Sequence, residues 1–346
     1  MMVFRKWGTL FAMCFFAHVC FFAQVSMAQY AGSFSRIGFG ARGISLGNAL
    51  AGDTRSGTSP YYNPAFAPLV GGQNIEASVA SLSFDRSLQF LQLSAPLQTK
   101  AGFALGLIHA SVSDIDGRDN SGFHTANLSV DEYAGFLAFG LKFSKRVSAG
   151  VGLQMFRTDL YDGLTPANSI GLDFGIAAQV ADNWSLGLVA DDLLARYSWD
   201  SSDLGGSGRT ITDSFPRRIR LGVSTYQLKG ALSFHGEVES RFSSVRTEIR
   251  TTRVFGDSPA ETSEEKTLID QEFRLRAGTE YIPLPGFAVR VGLEQLGSEA
   301  LDSVRPSFGF KGEQKMGELT IRAEYGLALE AESGGKMHLF SITLFL

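Results

Sequence analysis

Beyond about residue 73 the chain is a train of strand-like segments whose connections alternate short and long to the C-terminus. Short links fall at 96–100, 144–146, 181–183, 229–230, 282–286 and 313–317; long ones fall between them at 113–130, 158–167, 195–215 and 248–265. Strict alternation places every long loop on one side of an antiparallel sheet. About fourteen such segments of roughly ten residues match a transmembrane β-barrel of the bacterial outer membrane. Their even number puts both ends of the sheet on the short-turn side, which in such barrels is the periplasm. The expected fold class is therefore all-β, a 14-stranded antiparallel transmembrane barrel over 73–346.

Within the segments the hydrophobic period is two, as a wall with one lipid face and one lumen face demands. Leu137, Phe139, Leu141 and Phe143 alternate with Ala138, Gly140 and Lys142, and Ile170, Leu172, Phe174 and Ile176 with Gly171, Asp173 and Gly175. Later strands place charge on the second face. A charge at mid-bilayer depth on the lipid side is costly, so that face must be the inside. The lumen then holds Arg218, Arg220, Glu237, Glu239, Arg274, Arg276, Glu280, Arg290, Glu294, Arg322 and Glu324. Mixed signs on neighbouring strands predict ion-pair ladders bracing a filled lumen, in preference to a one-sign selectivity ring. A soluble β-sandwich also alternates. The recurring Phe-rich face and the terminal alternation of Phe340, Ile342, Leu344 and Leu346 favour the membrane barrel.

The first thirty residues are a separate object. Arg5 and Lys6 precede an apolar run from about Leu10 to Ala23, and Ser26-Met27-Ala28 supplies the small residues of a cleavage site, so 1–28 reads as a signal peptide. The alternative, an uncleaved anchor over Trp7 to Val25, is disfavoured by His18 and Gln24 within it. Cys14 and Cys20 both lie in this segment, so cleavage leaves no thiol for disulfide, metal or catalytic chemistry. Loss of Arg5 and Lys6 takes the basic residues from 31 to 29 against 35 acidic ones, a formal charge of −6. An acidic exported chain has no electrostatic case for nucleic acid. No stretch after residue 28 approaches eighteen consecutive apolar residues, so a closed sheet is the remaining way to satisfy backbone groups in lipid.

Residues 29–72 do not read as strands. Gly40-Ala41-Arg42-Gly43 is followed by Leu46-Gly47-Asn48-Ala49, then Asp53, then Asn63-Pro64-Ala65. That series resembles the N-terminal region of the PorV/PorQ family, within the broader FadL-like group of outer-membrane barrels. The resemblance implies that 29–72 folds into the barrel as a hatch, with Asn63, Pro64 and Ala65 as its motif. Family members commonly continue with glycine, where this chain has Phe66-Ala67-Pro68. A plug also makes physical sense, because fourteen strands enclose more space than wall side chains fill.

Other signals read as structure. Gly38-Phe39-Gly40-Ala41-Arg42-Gly43 matches G-x-G-x-x-G but has no strand before it and no βαβ unit around it. The acidic stretch Asp114 to Asn120 could offer oxygen ligands to Ca²⁺, with its glycine misplaced for an EF-hand, and Asp191-Asp192 at a strand end is similar; both read as solvated turns. The histidines are scattered and no H-E-x-x-H or G-x-S-x-G is present. We expect no enzyme, no cofactor and no metal site.

Three functions remain, one of them a purely structural barrel that anchors a periplasmic partner through the hatch. The PorV/PorQ resemblance implies a role in type IX secretion and cell-surface attachment, with exported proteins carrying a C-terminal sorting domain, or secretion-system subunits, as partners beside outer-membrane lipid. The long loops at 113–130, 195–215 and 248–265 would be the docking surface. The FadL-like resemblance implies instead a transporter of hydrophobic small molecules, with a pocket near the hatch formed by Phe34, Phe39, Tyr61, Tyr62 and Phe66.

Overall fold

The computed structural model describes residues 31–55, 58–97, 100–161, 164–200, 202, 210–255, 258–296, 304–330 and 334–346, with side chains of 245–268 excepted. The signal segment 1–28 lies outside the described residues. Strands are β1 (Asn74–Leu82), β2 (Arg86–Leu97), β3 (Ala101–Arg118), β4 (His124–Lys142), β5 (Val147–Asp159), β6 (Ala167–Ala181), β7 (Trp184–Leu193), β8 (Arg196–Asp200), β9 (Thr210–Ser214), β10 (Arg217–Gln227), β11 (Leu232–Phe255), β12 (Ser258–Leu284), β13 (Phe287–Leu296), β14 (Arg305–Met316), β15 (Leu319–Leu329) and β16 (Lys336–Phe345). β8 and β9 form a hairpin of their own; the other fourteen close an antiparallel barrel. Closure pairs β1 with β16 from Asn74 opposite Phe345 to Leu82 opposite Met337, and the Leu346 N–H donates to Gln73 O at 2.9 Å. Closure leaves no unpaired edge, which a sheet in lipid cannot tolerate.

The outer surface is apolar. Leu91, Leu105, Leu137, Ile176, Leu221 and Phe340 are all exposed, and they represent a belt that continues around the barrel. A soluble monomer rarely exposes apolar area on that scale. The alternate positions are buried, so each strand separates lipid from lumen chemistry residue by residue.

Two of the stretches expected as loops are strand. β3 and β4 stay paired out to Arg118 opposite His124, so most of 113–130 is a projecting ribbon with its tip at 119–123. β11 and β12 pair without a break from Leu232 opposite Tyr281 to Phe255 opposite Ser258, which converts 248–265 into a second ribbon. Polar residues on both faces hide such ribbons from a period-two reading, while the backbone ladder needs no apolar face to persist. Within 195–215 the chain forms the β8–β9 hairpin.

The described residues of 31–72 fill the lumen. The helix α1 (Gly40–Ser45) and a 3-10 stretch at Pro64–Leu69 are almost wholly buried against the wall, and a 3-10 turn at Ser33–Arg36 buries Phe34 and Ser35. Wall glycines mark the closest approaches. A Cβ at Gly187 would lie 1.8 Å from Ala51 O, and one at Gly292 would lie 2.2 Å from Gly47 N. The missing side chains let the hatch backbone sit directly on the strands.

Candidate functional site

The hatch is held first by its own polar groups. The Asn63 carboxamide accepts from Ala65 N–H at 3.0 Å, capping the 3-10 stretch, and donates to Ala51 O at 3.0 Å and to Ile176 O of β6 at 3.2 Å. One side chain thus ties two hatch segments to the wall, and Pro64 in the first turn fixes the bend without losing a bonded N–H. Asp53 does the same on the far side. It accepts from Arg42 Nη2 at 2.6 Å, from Thr58 Oγ1 at 2.8 Å and from the Tyr226 hydroxyl of β10 at 2.6 Å. Burial alone would raise the Asp53 carboxyl; Arg42, then His235 and the Tyr226 and Thr58 hydrogen bonds, outweigh it and hold the group below the usual carboxylate range.

Charges on the wall form separate ion-pair clusters in the lumen, the largest of them around Arg276. Arg276 donates to Glu237 at 2.6 Å, Glu239 at 2.8 Å and Glu294 at 3.0 Å. Arg290 reaches Glu280 at 2.5 Å and Glu324 at 2.7 Å. Arg220 pairs with Asp191 at 2.6 Å and donates to Tyr62 O at 2.8 Å, and Glu237 accepts Ala51 N–H at 2.9 Å, so these wall charges also grip the hatch. Arg218 pairs with Asp192 at 2.9 Å and lies 3.6 Å from Glu239. Two members of the expected ladder pair within or beside their own strand's turn: Arg274 with Glu272 at 2.7 Å, and Arg322 with Glu313 at 2.8 Å.

Asp191 and Asp192 correct a reading from sequence. They are buried lumen carboxylates, not a solvated turn, because a left-handed residue at Asp192 (φ 58°) and a register shift between β6 and β7 turn both carboxylates inward. Asp116 of the 114–120 stretch stands on β3 and is engaged by Arg118 at 2.5 Å and His124 at 2.6 Å. Among the described residues no group of three or more His, Cys, Asp or Glu side chains is placed to hold a metal.

The five aromatic residues expected to form a ligand pocket are packed shut. Phe39 lies 5.3 Å from Tyr61, 5.1 Å from Phe90 and 5.8 Å from Phe136, in tilted or edge contacts. Phe34, Tyr62 and Phe66 are buried in the same core, and Tyr61 and Tyr62 border a space of only about 20 Å³. The reason is geometric: rings from β2 and β4 fill the room beside the hatch, a contact that no local pattern announces.

The larger cavity lies elsewhere. The β7–β10 ladder ends at Asp191 opposite Arg218, while the neighbouring β11–β12 ribbon runs on. In the gap above that last pair is a groove of about 770 Å³. Its lining is mainly apolar, with Leu194, Ile219 and Ile269 on the outward side and Phe215 inside; Asp192 and Arg218 form the polar floor. Phe215 roofs the lumen, 4.7 Å from Phe156 and 4.9 Å from Tyr197, and stands on Gly32, where a Cβ would meet its ring at 2.1 Å. None of the five expected aromatic residues lines this groove.

No protein-family model and no curated protein matches the chain by sequence. Solved structures do match. The Ralstonia pickettii toluene transporter TbuX superposes with a TM-score of 0.56 at 15% identity, covering 89% of this chain and 97% of that one. The Pseudomonas putida toluene transporter TodX gives 0.57 at 15%, over 89% and 96% of the two chains. A Pseudomonas aeruginosa FadL homologue gives 0.57 at 12%, over 89% and 98%. The fold is a FadL-like barrel. TbuX and TodX are described as toluene transporters, and the similar barrel CymD as a monoaromatic hydrocarbon channel.

Proposed function

We propose that this FadL-like barrel sits in the outer membrane, after cleavage of its signal peptide near Ala28, and passes hydrophobic small molecules. The observation that carries the reading is the apolar groove at the β7–β10 gap, whose volume falls in the range of small-molecule sites. Neighbours described as toluene transporters and as a monoaromatic hydrocarbon channel support an aromatic hydrocarbon as the first molecule to try. Leu194 and Ile219 receive the molecule, and Phe215 separates it from the packed lumen. Passage then requires the hatch or the Phe215 roof to move, since the packed core of the hatch blocks the way through the lumen.

The test is uptake of radiolabelled toluene by cells that express the chain in place of their own hydrocarbon channels. Expression should raise uptake, and Ala190→Trp, which fills the groove from its rim, should return it toward the empty-vector rate with the barrel still assembled. Equal uptake with and without the chain ends the proposal. The PorV/PorQ reading is supported by the hatch residues Gly40 to Gly43 and Asn63 to Ala65, and by the two projecting ribbons as a docking surface. Co-purification of a sorting-domain protein with the tagged barrel from its own envelope would favour it.

A further inference from the structure

At the short-turn end, beside the Lys229-Gly230 turn, the lumen opens in a cavity of about 370 Å³. Arg42, Arg55, Lys229, Arg290, Lys311 and Arg322 line it, against one lining carboxylate, Glu280. On the other side of Arg55 a smaller space of about 70 Å³ is bordered by Lys142, Lys145 and Arg146. The whole chain carries a formal charge of −4, so this concentration of cations is a local arrangement and not a reflection of composition.

Part of that charge is answered inside the wall. Arg42 is held by Asp53 at 2.6 Å, Arg290 by Glu280 and Glu324, and Arg322 by Glu313 at 2.8 Å, with Lys311 Nζ 3.7 Å from the same carboxylate. Arg55 and Lys229 differ. Among the described residues neither has a carboxylate within 4.0 Å; the Arg55 guanidinium instead lies 5.0 Å from the centre of the Tyr226 ring, over its face. Stacking leaves the guanidinium edge free to donate, and the planar fork suits the oxygens of a phosphate or carboxylate. Cations lining a cleft with low-dielectric walls focus potential on whatever enters it.

We propose that this mouth is a binding site for a small phosphate- or carboxylate-bearing anion from the periplasmic side, with Arg55 and Lys229 as its unpaired donors and Lys311 and Arg322 as its wall. The cavity lies inside the ring of β10, β12, β13, β14 and β15, beneath the hatch, and away from the lipid-facing surface. A free anion therefore fits it better than a lipid headgroup. The site does not depend on which molecule the groove passes.

The experiment is calorimetric titration of inorganic phosphate, and separately citrate, into the full mature barrel in neutral detergent at constant ionic strength. Saturable binding is expected, weakened by about tenfold or more in Arg55→Gln/Lys229→Gln and unchanged in Arg118→Gln, an exposed ribbon arginine on the opposite end. Both mutated side chains are exposed and lack acidic partners, so the double variant should keep the wild-type unfolding midpoint without anion. Absence of saturation, or equal loss in the Arg118 variant, overturns the proposal. So does competition seen only in nanodiscs of phosphatidylglycerol and not with free phosphate, which would assign the basic mouth to lipid.

Discussion

Removing the Arg276 side chain should cost more stability than any other single change among the lumen ion pairs. Its guanidinium is 4% exposed and the carboxylates of Glu237, Glu239 and Glu294 are 0%, 0% and 9% exposed, so Arg276→Met strands charge with almost no access to water. The three acids are not equally supported by what remains. Glu239 keeps Arg241 at 2.6 Å and Arg218 at 3.6 Å, and Glu294 keeps Arg305 at 3.5 Å. Among the described residues Glu237 keeps only Arg220 at 3.7 Å and the Ala51 N–H. Breaking a buried ion pair from one side costs about 3–5 kcal/mol, and the better-served Glu239 and Glu294 keep the total inside that range. Urea unfolding of the detergent-solubilised barrel, followed by tryptophan fluorescence, measures it. Because Glu237 also holds Ala51, the variant should leak small hydrophilic solutes in a liposome-swelling assay before it unfolds. The triple variant that adds Glu237→Gln and Glu294→Gln should recover part of the loss, since it removes the stranded charge. A loss below about 1 kcal/mol, with no recovery, would show that water or lipid headgroups already screen these groups and that the cluster is not dry.

Gly187→Ala should destabilise by about 1–3 kcal/mol, because its Cβ would collide with the Ala51 carbonyl, whereas Gly230→Ala, with open space around it but φ +93°, should cost less; thermal unfolding separates them. Asn63→Ala loses the cap on Ala65 and leaves the Ala51 and Ile176 carbonyls without their donor, a cost of about 1–2 kcal/mol that should appear as faster protease cleavage within 31–72. The Asp53 carboxyl is held below its ordinary 3.8, so it stabilises the fold above that pH and the contribution disappears as pH falls through the depressed folded value. Asp53→Asn should therefore be less stable at pH 7 and show a shallower fall in unfolding midpoint below about pH 4; parallel acid limbs would contradict this.

How far the fold was legible follows from which signals are local. Lipid on one side and lumen on the other impose a period of two on each strand, so the fourteen wall strands and their charged face could be read from segments such as Phe273 to Tyr281 without knowing any partner. Inward glycines such as Gly187 and Gly292 carry a further local signal, since a glycine inside a strand marks a close backbone approach. The Asp191-Asp192 pair escapes a local reading because one left-handed residue reverses the alternation that otherwise assigns a face.

By itself, then, the sequence determined a closed antiparallel wall, its strand number, the sign of each face and the presence of a non-strand segment to fill it, because each of these is set by residues two or a few positions apart. The tertiary structure decided which acid meets which base, that the hatch aromatics are packed against Phe90 and Phe136, and that the open space lies at the β7–β10 gap and the basic mouth. Those outcomes join residues from opposite ends of the chain, such as Ala41 N–H and Ser341 Oγ at 2.8 Å, and barrel closure alone brings such ends together.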